Sequence, residues 1–107
     1  IALQHIAFLV LEMFYWEKPL GRRVFGMSKE NAAASKTLAM NQGLYNGFLA
    51  AGLIWGLSLG TDGMSIKLFF TTCVLIAGIF GGLTASRKIL YVQALPALIT
   101  LILLLLL

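Results

Sequence analysis

The chain has 107 residues, of which 60% are hydrophobic and 11% charged, with a mean hydropathy of +0.93 and a net charge of +4. A soluble domain this small leaves a large share of its residues facing water, and eight basic and four acidic side chains cannot cover that surface, so the composition argues for a membrane protein of one domain. The single Cys73 excludes a disulfide framework and a cysteine-based metal cluster.

Hydropathy divides the chain into apolar segments at 1–16, 38–59, 65–84 and 89–107. The last three approach the ~20 residues that a bilayer core demands. In hydrocarbon the backbone must satisfy its own hydrogen bonds, and strands of this length would have unpaired edges, so helices are expected. The expectation is an all-α membrane protein, a four-helix transmembrane bundle forming one domain over 1–107. The chain opens inside an apolar stretch, so residues upstream of Ile1 are expected to belong to the first helix. His5 and Glu12, with no small-residue cleavage pattern after them, argue against a signal peptide.

Charges are distributed unevenly between the segments. Lys18, Arg22, Arg23, Lys29 and Lys36 lie in the first connection, 18–37, and Arg87 and Lys88 in the third, whereas the second, 60–64, contains Asp62. The positive-inside rule makes the first and third connections cytoplasmic and puts both termini outside, as expected for a multi-pass protein of the cell inner membrane. Tyr15 and Trp16 mark the inner end of the first helix, and Trp55, Phe69 and Phe70 the outer ends of the second and third. In the long connection, Gly21–Met27 mixes cations with Phe and Met and can lie on a membrane surface, although a solvated topogenic loop accounts for the same charges. Ser28 is an expected N-cap for a short helix through Ala34.

Polar outliers within the apolar segments carry the functional reading. Counting from the cytoplasmic cations at about 1.5 Å per residue puts Glu12, Asn41, Gln42 and Gln93 at one level, about 8–9 Å inside the boundary. His5 and Glu12 stand seven residues apart, nearly on one helical face. Gln42, Tyr45 and Asn46 share a face of the second helix, with Asn41 on its shoulder. Buried amides serve commonly as interhelical glue, but an acid within a membrane helix is costly, and a neutral Gln would staple helices with a smaller desolvation penalty. Glu12 therefore suggests proton exchange, cation binding or charge pairing. Near the level of His5, Thr72, Cys73 and Thr100 offer a second, thinner polar layer.

Glycine rows specify packing: Gly43 with Gly47, then Gly52, Gly56 and Gly60, then Gly78 with Gly82. They suit close contact inside the chain or across a dimer. Pro96 is expected to kink the last helix near Gln93. No phosphate loop, zinc helix or nucleic-acid motif occurs, and one histidine cannot supply a two-histidine haem site, so no metal, cofactor or nucleic acid is expected.

The runs His5–Met13, Val24–Met27, Asn41–Gly47 and Gly82–Thr84, with Gln93 and Pro96-Ala97, resemble in order and spacing a bacterial membrane family catalogued as domain of unknown function number 1304. The Asn-Gln-Gly-x-Tyr-Asn-Gly run at 41–47 is the most specific piece. The resemblance implies a small four-span inner-membrane protein and brings no activity with it. The chain is also similar to small multidrug exporters in size, expected helix count and an acid in the first helix, an analogy at the level of fold alone.

The leading expectation is a polar intramembrane pocket of His5, Glu12, Asn41, Gln42, Tyr45, Asn46 and Gln93 that binds or moves a small solute, with Glu12 as the titratable group. A membrane enzyme acting on a lipid or isoprenoid is an alternative, with Glu12 and His5 as acid and base. Their separation of about 10 Å along the helix is long for one proton transfer. A third reading is an accessory subunit, with a homodimer or a larger membrane complex as partner.

Overall fold

A computed structural model of the chain describes residues 1–106. Every element among them is helical: α1 (Ala2–Phe14), α2 (Pro19–Phe25), α3 (Lys29–Ala34), α4 (Lys36–Ser58), a 3-10 turn (Gly60–Gly63), α5 (Met64–Thr84), a π turn (Leu90–Ala94) and α6 (Leu95–Leu106). The chain is thus all-α, and its four apolar helical stretches start and stop within two residues of the expected bounds over the described residues. Leu107, the last residue of the expected fourth helix, lies outside them. Within the connection expected as a loop over 18–37, the short helix expected after Ser28 is present as α3, and α2 is a helix where loop was expected.

By length and composition, Gly60–Thr84 is the one helix among the described residues able by itself to cross a membrane, whereas Ala2–Phe14 and Leu90–Leu106 are apolar but shorter. The 13 residues of α1 rise about 20 Å, against a hydrocarbon core of about 30 Å. Helix α4 has the length, at 23 residues, but Asn41, Gln42, Tyr45 and Asn46 cluster in it and dilute its apolar character. Four self-sufficient spans, the expectation from hydropathy, reduce on these criteria to one.

The chain divides into two compact units, Ala2–Ala50 and the chain from Ala51 on together with Ile1. In the first, α1 ends in a turn closed by Lys18 N–H on the Tyr15 carbonyl at 3.0 Å. Lys18 is extended, at φ −76° and ψ 158°, because the residue before a proline is pushed out of the helical region. Pro19 opens α2, where its missing N–H would have had no partner. Gly26 ends α2 at φ +63°, a left-handed conformation that a side chain disfavours, and its N–H returns to the Arg22 carbonyl.

Ser28 caps α3, its hydroxyl accepting from Asn31 N–H at 3.1 Å. The indole of Trp16 ties this collar together by donating to Ser35 Oγ at 3.0 Å, while its ring tilts against Phe25 with centroids 4.9 Å apart. Glu17 pairs with Lys36 at 3.1 Å.

In the second unit, glycines bring backbones close. A Cβ on Gly52 would run into the Phe70 ring, and one on Gly78 would lie 2.8 Å from the backbone nitrogen of Ala94. Gly82 stands in the same way against Leu90. The π turn sits just before Pro96, and Leu95 N–H closes it on the Leu90 carbonyl five residues back. Pro96 has no N–H for the regular ladder, and the departure from regular helix directly before it is this π turn.

The distribution of side-chain sizes is inverted relative to a soluble globule. The buried apolar residues are mainly alanines, namely Ala32, Ala39, Ala50, Ala94 and Ala97, with Leu53 and Val74. Leu38, Phe69, Phe80, Leu83 and Tyr91, each more than 60% exposed, face outward.

Candidate functional site

The first unit positions the one buried acid. His5 and Glu12 are both buried on α1, and their spacing of two helical turns puts them on one face. From α4, Asn46 reaches the same place: its side-chain amide donates to the Glu12 carboxylate oxygen Oε1. The residues that allow this approach are Gly43 and Gly47. A Cβ on Gly43 would meet Met13 Cγ at 2.6 Å, Glu12 Cβ at 3.2 Å and the Leu9 carbonyl at 3.3 Å, and one on Gly47 would meet Leu9 Cδ1 at 2.6 Å. Both glycines lie where α1 crosses, so the side chains of Glu12 and Asn46 meet across a close contact at which an added methyl would displace the Met13 and Leu9 side chains.

The inward face of α4 in this unit is Ala39, Gly43, Asn46 and Ala50, a regular alternation of four- and three-residue steps. Gln42 and Tyr45 were expected to share the face of Asn46, but both are exposed, and so is Asn41. The physical reason is that alanine and glycine let α1 approach, and the helix turns its small-residue stripe inward. Gln42 is left on the flank, and Tyr45 and Asn41 point farther away. Tyr45 packs its ring edge-on to Phe48 with centroids 6.1 Å apart. His5 packs edge-on to Phe8 at 5.4 Å.

Gln93 belongs to the second unit, where its amide donates to the Val74 carbonyl at 3.1 Å. This bond joins the π turn to α5 beside the Gly78 contact, so the Gln93 amide staples two helical segments. The expected second polar layer also takes another form. Thr72 and Thr100 return their hydroxyls to their own helices, at Leu68 O (2.6 Å) and Pro96 O (2.8 Å). Thr71, not singled out in the sequence, is the threonine that is buried, with a hydroxyl that meets no partner. Its register with Val74, Gly78 and Gly82 was the available signal, since all four are buried on one stripe of α5. Likewise, the tie between Trp16 and Ser35 has no counterpart in spacing alone.

Among the described residues no group of three or more His, Cys, Asp or Glu side chains comes together in a way that could hold a metal ion. Chemically, the Glu12–Asn46 contact offers one carboxyl that can gain or lose a proton and one amide that can donate to it.

The comparisons with known proteins agree with the motif pattern. The chain is 32% identical over 104 residues to "Uncharacterized protein YpaA" of Lactococcus lactis subsp. lactis (strain IL1403), an alignment that takes in 95% of this chain and 87% of that protein. No solved structure matches the chain. Matched from residue 1 to residue 105, the chain belongs to the family described as "Protein of unknown function (DUF1304)".

Proposed function

We propose that this protein is a multi-pass membrane protein, its four apolar helical stretches forming a transmembrane bundle in the inner membrane with both termini outside, and that it binds or moves a small solute at a polar site centred on Glu12. The observation that carries the reading is the buried Glu12–Asn46 contact in a chain whose large apolar side chains face outward. An acid inside such a helix is expensive, and structural glue alone would be served by an amide. Glu12 acts as the titratable group and Asn46 as its orienting donor. His5, on the same face of α1, borders the site. Asn41, Gln42 and Tyr45 are exposed on α4, where they can meet a solute, a lipid or another membrane helix.

The test is proton movement in proteoliposomes loaded with the pH dye pyranine. A pH step is expected to produce a proton flux with the native chain that Glu12→Gln removes. Equal flux in the two proteins, together with equal binding of added solutes across pH, would end this reading.

A further inference from the structure

The collar of the first unit carries charge that its own fold does not neutralise. Lys36 pairs with Glu17, but Lys18, Arg22 and Arg23 have no carboxylate at ion-pair distance among the described residues. Arg22 Nε is, moreover, buried without an acceptor. These cations sit on or beside α2, a short helix tied down by Gly21 against the Tyr15 carbonyl and by the stacking of Phe25 on Trp16. Helical spacing sets Lys18 and Arg22 in one row and Leu20 and Val24 in another, with Arg23 between them. Leu20 and Val24 are exposed and Arg23 is exposed next to them, so this surface presents an apolar edge beside one guanidinium, with Arg22 on the far flank of the helix.

A free anion or a nucleic acid would account for the cations and leave the apolar row unexplained. A bilayer surface accounts for both, since aliphatic side chains sit at the acyl boundary while arginines reach the phosphates above it. The guanidinium fork matches phosphate oxygens in geometry as well as charge.

We infer that α2 is a docking surface for anionic phospholipid headgroups, with Arg22 and Arg23 taking the phosphate and Leu20 and Val24 seated at the acyl boundary. The inference rests on the membrane reading above. It assigns the long connection a lipid-selective role beyond orientation.

The test uses the full chain with Trp55→Phe, which leaves Trp16 as the one indole, placed beside α2 by its contact with Phe25. It is reconstituted in mixed bilayers of phosphatidylglycerol and phosphatidylcholine in which one lipid or the other is brominated. Brominated phosphatidylglycerol is expected to quench Trp16 more strongly than brominated phosphatidylcholine. The preference should fall about fivefold with the exposed Arg23→Gln and vanish in Arg22→Gln/Arg23→Gln, about 1 kcal/mol per cation near the surface. Equal quenching by the two lipids, or a preference that survives both arginine variants, overturns the inference while leaving the membrane reading standing. Absence of quenching by either lipid overturns both.

Discussion

Asn46 donates its side-chain amide to the Glu12 carboxylate across a contact that Gly43 and Gly47 keep narrow. An acid on α1 and an amide on α4, thirty-four residues apart in the chain, become one buried unit. Substitutions on either side of that bond should behave asymmetrically.

Glu12→Gln keeps a hydrogen-bonding partner for Asn46 and removes the charge, so its unfolding free energy should stay within about 1 kcal/mol of the native value. Asn46→Leu leaves a buried carboxyl without its donor and should cost about 1–3 kcal/mol. Thermal unfolding in detergent, followed by circular dichroism, separates the two. An Asn46→Leu protein as stable as the native chain would show that the contact contributes nothing.

Glycine to alanine changes should depend on what the new methyl meets. At Gly47 the obstacle is the far end of the Leu9 side chain, which can rotate away, so Gly47→Ala should cost under about 1 kcal/mol. At Gly78 the obstacle is the backbone of Ala94, with N and Cα at 2.8 and 3.0 Å, which cannot yield without separating α5 from the π turn. Gly78→Ala should therefore cost about 2–3 kcal/mol. The reverse order of stabilities in denaturant titrations would contradict the close approach described for α5.

The Thr71 hydroxyl is buried without a partner, at 1% exposure. Thr71→Val keeps the shape of the side chain and removes the unsatisfied group, so it should raise stability by about 1 kcal/mol. Thr72→Val, which removes a hydroxyl already bonded to the Leu68 carbonyl, serves as the control and should not be stabilising. Destabilisation by Thr71→Val would contradict the unpartnered state of this hydroxyl.

Ser35 both accepts from the Trp16 indole and donates to the Asn31 carbonyl, the latter at 2.7 Å. Ser35→Ala should loosen the collar by about 0.5–1.5 kcal/mol. Limited proteolysis between residues 17 and 36 is the readout, with faster cleavage expected than in the native chain. An unchanged cleavage rate would assign the order of α2 and α3 to the Glu17–Lys36 pair and the Phe25 contact instead.

Much of the local structure was legible in the residues. Apolar runs of near-membrane length announced the helices, Ser28 caps α3 as expected, and the π turn directly precedes Pro96, whereas α2, bounded by Pro19 and Gly26, was expected as loop. The legible features depend on neighbours a few positions away, and local sequence suffices for them. The site was legible only in part. Depth counting set Glu12, Asn41, Gln42 and Gln93 at one height, but height along a helix says nothing of which way a side chain turns.

Glu12, His5 and the glycine spacing could be read directly, because an acid in an apolar run and small residues one turn apart are conspicuous without any partner. Which amide meets the acid was decided in three dimensions. Helix α1 settles where alanine and glycine permit backbone approach, and that stripe includes Asn46 and excludes Gln42 and Tyr45. Steric access between helices, a property of pairs distant in sequence, makes that choice, and no single helix's periodicity contains it.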